Sequence, residues 1–310
     1  MRSEPARPAR ILCVGALTLD TIFRLDRLPD GPGKFLPRDA VQIAEGMAAS
    51  AAASARRQGA EVWLWASIGG DATGARLVAE LETEGVDCGY VRRVEGAKSA
   101  IATIFVDMQG ERIIVPFYDP VTQADPEALP FADASRFDAV LVDVRWPGAA
   151  ARALDAARAA GIPAILDADV APAAVLEALL PRATHVIASR PAAAILCAGT
   201  TDAGEAVIAL ARRSDGFVAV TDGGAGTAWF DRAAERVRHV PAPRIVPVDT
   251  LAAGDVFHGC YAVAVAEGRP PAEAIRFASA AAALKCQRFG GRLGAPDRAE
   301  TLAMMESYAS

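Results

Sequence analysis

A carboxylate and a run of small residues stand together near the C-terminal end of the sequence. Residues 248–259 read VDTLAAGDVFHG, in which Asp255 directly follows Ala253 and Gly254. The apolar run after them predicts a helix, and the first N–H groups of a helix are unpaired and positively polarised. Such a helix end binds anions, and a carboxylate beside it can take a proton from a hydroxyl during phosphoryl transfer. By itself such an Asp more often only caps a helix, so its role depends on the rest of the chain.

A second glycine-rich stretch precedes this one. Residues 221–226 read TDGGAG, and taken alone they indicate a turn. The competing interpretation is a dinucleotide-binding fingerprint, which requires a helix directly after the glycines. The sequence that follows predicts a hairpin instead, with strands at 226–230 and 236–240. The dinucleotide-binding interpretation therefore fails.

Strand-like and helix-like segments that alternate must position these motifs. The alternation is regular from residue 137 onward, and it predicts a mostly parallel sheet with helices on both faces. Strands are predicted at residues 11–19, 61–68, 137–144, 163–166, 184–188, 217–221 and 244–248. Helices are predicted at residues 46–57, 75–84, 148–160, 171–180, 272–287 and 297–308, with short helices between 189 and 213. A further helix has Asp255 in its first turn and continues to residue 266.

Polar residues follow several of these strands. Ligands of parallel α/β sheets bind beyond the carboxyl ends of the strands. One basic residue among carboxylates and hydroxyls suits a polyhydroxylated ligand that carries one negative group. The guanidinium of Arg145 offers a planar fork to an anionic oxygen group, although a structural salt bridge is the alternative. The polar residues expected there are Asp20, Arg145, Asp167, Asp169, Ser189, Thr221, Asp222 and the stretch from Asp249 to Asp255.

Two β-rich segments interrupt the alternation, roughly residues 21–43 and 98–117. The second reads as a hairpin that turns at residues 108–110 (MQG). We expect the two segments to pair into a small sheet that covers the crevice as a lid. With no linker or internal repeat in the sequence, we predict a single α/β domain over residues 1–310.

Composition excludes several other classes of protein. The chain has 310 residues, 52% of them hydrophobic, and a formal net charge of −6, so no basic surface for nucleic acid is expected. The five cysteines and three histidines are scattered without metal-ligand spacing. No apolar run approaches the length of a membrane span, and residues 1–10 resemble a frayed tail more than a signal peptide. We therefore expect a cytoplasmic enzyme.

The stretch that contains Asp255 resembles the D-T-x-G-A-G-D signature of the ribokinase-like, or pfkB, carbohydrate kinases. The matching residues are Asp249, Thr250, Ala253, Gly254 and Asp255, whereas Ala252 stands where the family usually has glycine. The resemblance implies a three-layer α/β/α sandwich with a β-sheet lid, and an ATP-dependent sugar kinase that uses Mg²⁺. It also raises the question of whether K⁺ is required.

The resemblance implies a role for each matching position. Asp255 would be the base, and the backbone at Ala252, Ala253 and Gly254 would stabilise the transferring phosphoryl group. The nucleotide would contact Thr221, Gly223, Gly226, Asp249 and Thr250, and the sugar would contact Asp20, Gly33, Lys34, Gly46 and Arg145. The family's N-x-x-E motif is replaced by Ser189-Arg190-Pro191-Ala192, so Mg²⁺ is expected on phosphates and water, with fewer protein contacts.

Several segments, including residues 143–146 and 280–292, are similar to the sulfofructose kinases of this family. This subgroup phosphorylates the 1-hydroxyl of 6-deoxy-6-sulfofructose, but Pro116 stands where it has an asparagine for the sulfonate. Fructokinase, ribokinase and 2-keto-3-deoxygluconate kinase are the alternatives. A nucleoside kinase would stack its base on Phe35, Phe105 or Phe117, and a sensor without turnover remains a further hypothesis. A lid edge that pairs with a second copy would give a homodimer.

Overall fold

The computed structural model describes residues 7–197 and 199–308, and a ten-stranded sheet runs through its centre. The first six residues, part of the predicted tail, lie outside these ranges. The strands described are β1 (Arg10–Gly15), β2 (Thr18–Arg24), β3 (Asp39–Glu45), β4 (Glu61–Gly69), β5 (Val86–Asp87), β6 (Arg92–Val94), β7 (Ile101–Val106), β8 (Arg112–Phe117), β9 (Ala139–Val142), β10 (Ala164–Ala168), β11 (His185–Ser189), β12 (Phe217–Thr221), β13 (Thr227–Asp231) and β14 (Arg236–Val240).

The central sheet is parallel except at one edge. Its order is β14-β13-β12-β11-β10-β9-β1-β4-β5, with β6 paired to β4, and only β13 and β14 run antiparallel to their neighbours among the described strands. Ile11 and Cys13 of β1 pack into one hydrophobic cluster, whereas Leu12 and Val14 pack into another. The strand is therefore buried on both faces, as its continuous apolar sequence requires.

Helices cover both faces of this sheet. The first hydrophobic cluster includes residues of α1, α2, α7 and α8, and the second includes residues of α3 to α6. This arrangement confirms the predicted three-layer α/β/α sandwich. The helices described are α1 (Met47–Arg57), α2 (Ala72–Thr83), α3 (Pro147–Ala159), α4 (Ala173–Leu179), α5 (Arg190–Leu196), α6 (Ala203–Ala211), α7 (Ala253–Ala266), α8 (Pro271–Cys286) and α9 (Arg298–Ser307). None of them is both long and apolar enough to cross a bilayer.

A separate four-stranded sheet has the order β3-β2-β7-β8. Its two hairpin partners, β7 and β8, pair antiparallel around the predicted turn, and β2 joins β7 in parallel. The small sheet is thus built from the two segments that interrupt the alternation, as predicted. Whether it moves as a lid stays a prediction.

The first strand ends earlier than predicted, and Asp20 belongs to the small sheet. β1 stops at Gly15 because a Cβ there would lie 2.1 Å from the carboxyl carbon of Asp143. The same carboxylate accepts a hydrogen bond from the N–H of Ala16 at 2.8 Å. The chain therefore turns out of the central sheet at this point, and the prediction of a strand through residues 11–19 was wrong.

The segment before Asp249 is not a strand either. Residues 241–249 form no ladder, because Pro243 and Pro247 have no N–H to donate to a neighbouring strand. The N–H groups of Val248 and Asp249 instead donate to the carbonyl of Cys286, at 2.7 and 3.1 Å. The end of α8 therefore holds the segment where a neighbouring strand was expected.

Candidate active site

The 249–254 loop presents backbone N–H groups to an open crevice. α7 begins at Ala253, and within the described ranges no acceptor is found for the N–H groups of Gly254 and Asp255. A Cβ added at Gly254 would meet no heavy atom within 4 Å. Ala252 adopts the left-handed conformation with φ of 59°, which costs a residue with a side chain about 1–2 kcal/mol. Strained backbone, free amides and open space together fit a phosphate group.

Asp249 is the first residue of this loop, and its side chain is fully buried. Its Oδ1 accepts from the N–H of Leu251 at 2.8 Å, and its Oδ2 accepts from the N–H groups of Gly290 and Gly291 at 3.0 Å. The Nζ of Lys285 lies 3.1 Å from Oδ2. The carboxylate therefore holds the loop in position, and its expected contact with a nucleotide stays a prediction.

Asp255 stands in the first turn of α7, beside the free amides. Burial raises the pKa of its carboxyl well above the ordinary value, and the negative charges of Glu45 and Asp169 raise it further. Arg112 opposes this shift. A carboxylate with a raised pKa is a stronger base, so Asp255 is suited to remove a proton from an alcohol.

Asp20 is the second carboxyl group in the crevice, and only 7% of it is exposed. Burial raises its pKa to about 7, with a smaller contribution from the charge of Glu45, while a 2.6 Å hydrogen bond from Thr18 opposes the shift. Near neutral pH this carboxyl exists in both protonation states. It can therefore accept hydrogen bonds from sugar hydroxyls and also donate one.

Gly46 allows two backbone segments to meet next to Asp20. Its φ is 105°, and a Cβ there would lie 2.6 Å from the carbonyl oxygen of Ala16. The start of α1 packs against the same turn, since the N–H of Ala49 donates to that carbonyl. The single glycine is thus required for close packing, and its predicted contact with sugar is untested.

Arg145 reaches a small cavity between the two sheets, yet its guanidinium already has protein partners. Nη1 donates to the carbonyl of Val170 at 2.9 Å, and Nη2 lies 3.3 Å from Asp169. Arg145 forms a structural salt bridge, and it could also bind an anionic ligand because a third of its side chain is still exposed. The cavity is lined by Gly15, Ala16, Leu17, Ser67, Ala100, Tyr118, Gln123, Arg145 and Trp146.

Tyr118 lines this cavity together with Arg145. Burial raises the pKa of its hydroxyl to about 12, and the charges of Arg145, Asp20 and Asp255 all act on it. No sequence motif pointed to Tyr118, because it follows the lid hairpin and lies outside every signature.

The glycine-rich stretch after β12 forms an open turn, as predicted. A Cβ at Gly223 would meet nothing within 4 Å, whereas one at Gly226 would lie 2.3 Å from the carbonyl oxygen of Val240. Thr221 ends β12, and Asp222 accepts a 2.5 Å hydrogen bond from Arg190. The exposed face at Gly223 leaves room for a nucleotide, while Gly226 serves the packing of the hairpin.

The turn between β7 and β8 contacts the 249–254 loop. Arg112 donates to the hydroxyl of Thr250 at 2.8 Å, and that hydroxyl donates to the carbonyl of Gly110 at 3.1 Å. This contact brings a cationic side chain to the 249–254 loop. Sequence reasoning did not assign Arg112 to the site, although a basic residue beside a hairpin turn was a signal for it.

Other residues that the sequence singled out lie on exposed segments, and their predicted contacts with sugar are untested. Gly33 and Lys34 lie on the exposed loop of residues 26–38, and no ion pair or hydrogen bond of Lys34 is found in the part of the chain described. Pro116 pairs with Ala102 on the exposed strand β8. Among the described residues no group of three or more His, Cys, Asp or Glu side chains is arranged to hold a metal ion.

Comparison with known proteins agrees with this geometry. The profile of the pfkB family of carbohydrate kinases matches residues 8–298. The ribokinase of Bacillus subtilis is 28% identical over 94% of this chain and 98% of its own length.

Two solved structures share the fold over almost their whole length. A crystal structure from Agrobacterium tumefaciens, described provisionally as a ribokinase, has 46% identity, a TM-score of 0.93 and coverage of 98% of this chain and 99% of its own. The ribokinase of Arabidopsis thaliana, complexed with ribose and ATP, has 26% identity, a TM-score of 0.80 and coverage of 96% and 99%.

Proposed function

Since the chain belongs to the pfkB family of carbohydrate kinases, we propose that it transfers the γ-phosphoryl group of ATP to a hydroxyl of a small monosaccharide, with Asp255 as the base. One observation carries this proposal. A carboxyl group with a raised pKa stands next to free amides that face an open crevice. The proton acceptor and the phosphate site are therefore adjacent, as in-line transfer requires.

The side chains divide the work between the two substrates. Asp20 and Tyr118 would hold sugar hydroxyls, which orients one hydroxyl toward Asp255. The N–H groups of Gly254 and Asp255 would stabilise the negative charge that builds on the transferring phosphoryl oxygens. Arg112 would add a positive charge from the lid, on the side of Thr250.

ATP would lie along the edge of the sheet between the turn at Gly223 and the 249–254 loop. Both places are open to a ligand, since a Cβ at Gly223 or Gly254 would meet nothing. Mg²⁺ would neutralise the phosphate charges when bound. With the N-x-x-E motif replaced, it would be held by phosphate oxygens and water, and the described chain would contribute no carboxylate cluster to it.

Two classes of sugar are candidates. The related proteins named ribokinase support a pentose such as ribose. Arg145 favours a ketose with a negative group, of which 6-deoxy-6-sulfofructose, phosphorylated at its 1-hydroxyl, is the example implied by the resemblance. Fructose is a neutral ketose, whereas 2-keto-3-deoxygluconate carries a carboxylate and belongs with the anionic candidates. Arg145 supports the anionic candidate only in part, because Asp169 already pairs with it.

The function is tested by incubating the purified protein with ATP, Mg²⁺ and each of these sugars, with ADP release measured and the product identified by mass. We expect one sugar to be phosphorylated far faster than the others. Absence of ADP above background with every sugar, together with stabilisation by ATP, would contradict the proposal and favour a sensor.

Replacement of Arg145 separates the two classes of sugar. If the guanidinium binds a sulfonate, Arg145→Ala should lower kcat/KM for the sulfonated ketose about tenfold or more and leave ribose nearly unchanged. Arg152→Ala on the exposed side of α3 is the matched control. Equal losses with both sugars would remove the case for an anion-binding arginine.

A homodimer is also part of the proposal. The small sheet exposes large apolar side chains, each between 45% and 58% exposed: Ile101, Val115 and Phe117 on one face, and Ile114 on the other. A second copy of the sheet would cover them. Light scattering measures this directly, and a monomer at all concentrations would contradict it. We further propose a cytoplasmic location, because the reaction consumes ATP.

A further inference from the structure

Lys285 is a fully buried lysine that the proposed chemistry does not use. It lies near the end of α8, in the alanine-rich run of residues 280–286. Its Nζ lies 3.1 Å from Oδ2 of Asp249 and donates to the carbonyl oxygen of the same residue at 2.7 Å. Both oxygens belong to the residue that begins the 249–254 loop. The ammonium group therefore stands directly behind the amides of the anion site.

Stability alone does not account for this lysine. Burying an ammonium removes it from water at a cost that its partner only partly offsets, so a pair of apolar residues is often as stable. Burial lowers the pKa of Lys285, and the charge of Asp249 opposes that shift. The ionised pair also fixes the direction of a loop whose peptide at Ala252 is strained. The ammonium group of Lys285 can hold the 249–254 loop in position through Asp249, which an apolar side chain could not do.

The atoms around Asp249 also determine whether a potassium ion fits at this position. A carboxylate oxygen and a carbonyl oxygen that converge on one point are the ligands that hard cations take. In this chain that point is filled by Nζ of Lys285, and the other hydrogen bonds of the Asp249 carboxylate come from backbone N–H groups. These N–H groups would repel a cation. The residues present therefore do not fit a potassium ion at Asp249.

We propose that Lys285 is a positioning residue whose ammonium group is a permanent internal cation of the 249–254 loop, so that the protein needs no monovalent cation from solution. This inference rests on the proposed kinase function for its consequence in catalysis. Its consequence for nucleotide binding does not depend on which sugar is phosphorylated.

The first experiment uses the unaltered protein. Affinity for ATP is measured by calorimetry in potassium chloride and in choline chloride of equal ionic strength, and kinase activity is measured in the same two salts. We expect both quantities to agree within about twofold, since no cation site is vacant. An increase of about fivefold or more in affinity or rate with potassium would overturn the proposal. The affinity is informative even if no sugar is phosphorylated.

The second experiment removes the charge. Lys285→Met keeps most of the aliphatic length, and we expect kcat to fall about tenfold or more, with partial recovery in ammonium or potassium chloride but not in choline chloride. Arg276→Met is the control on the same helix, because its side chain contacts α9 instead. A folded Lys285→Met protein with full activity, or a loss that no small cation reduces, would overturn the proposal. If the variant does not fold, the salt comparison with the unaltered protein decides.

Discussion

The 249–254 loop and the 26–38 loop were both expected to contact substrate, but the structure builds them differently. The first is anchored from behind by Asp249 and Lys285, both fully buried. The second follows β2 on the surface, where Lys34 is exposed and 79% of Leu36 is exposed. Its ends are joined by an ion pair between Arg38 and Asp26, which is exposed as well.

The loop expected to take part in phosphoryl transfer is therefore built differently from the loop expected to select the sugar. Amides that are fixed before the substrate arrives stabilise developing charge without rearrangement, so we expect the anchored loop to govern phosphoryl transfer. The side chains of the exposed loop would lose rotamer freedom on contact with a sugar, and that loss has an entropic cost. The structure therefore defines the reaction more sharply than the sugar.

Asp255→Asn should have the largest effect, because it removes the base and keeps the shape of the anchored loop. We expect kcat to fall by about 10³-fold, while ATP affinity measured by calorimetry changes little. In the unaltered protein, activity should rise with pH through the raised pKa of Asp255, since only the ionised carboxylate accepts a proton. A variant that turns over at the parent rate would refute the role of this residue.

Asp20→Asn should lower kcat/KM for the sugar by about 100-fold, because a charged hydrogen-bond acceptor is lost. The same substitution should increase the free energy of unfolding. The pKa of Asp20 is about 7 when folded, above the ordinary 3.8, so the folded state loses stability as pH rises from 4 through 7. At pH 8 we expect the variant to be about 1–3 kcal/mol more stable than the parent.

Thermal unfolding at several pH values measures this effect on stability. The difference between variant and parent should shrink toward pH 4, where both residues are neutral. Thr18→Val, which removes the hydrogen bond to Asp20, is a suitable control. A difference that does not change with pH would show that Asp20 has no raised pKa.

Arg112→Ala tests a side-chain contact between the hairpin of β7 and β8 and the anchored loop. We expect kcat to fall about tenfold, because both a positive charge near the phosphoryl group and the hydrogen bond to Thr250 are lost. Arg112→Lys should restore part of the rate by its charge. An unchanged kcat with a raised KM for the sugar would assign the residue to closure of the lid only.

Lys34→Ala should have the smallest effect. With a neutral sugar we expect kcat/KM to stay within about twofold, because an exposed side chain without a fixed partner contributes little. With the sulfonated ketose a larger loss would show that the 26–38 loop closes onto an anionic group. Steady-state kinetics on the two sugars gives the answer, and Arg27→Ala in the same loop is the control.

Local sequence was sufficient for much of the fold because each strand and helix carries its own pattern. The β-rich segments at 21–43 and 98–117 predicted the small sheet, and the alternation after residue 137 predicted the parallel one. Two strands were misjudged. At residue 15 the decisive neighbour is Asp143, and before Asp249 it is the carbonyl of Cys286. Both partners are distant in the sequence.

The sequence by itself determined the anion-binding end of α7 and the carboxylate beside it, because small residues, a helix and Asp255 are adjacent in the chain. Only the tertiary structure decided what holds that loop and what surrounds it. Lys285 reaches Asp249 across 36 positions, and Arg112 reaches Thr250 across 138. Burial and charge depend on such distant neighbours, so the pKa of Asp20 and the exposure of Lys34 could not be predicted from the residues alone.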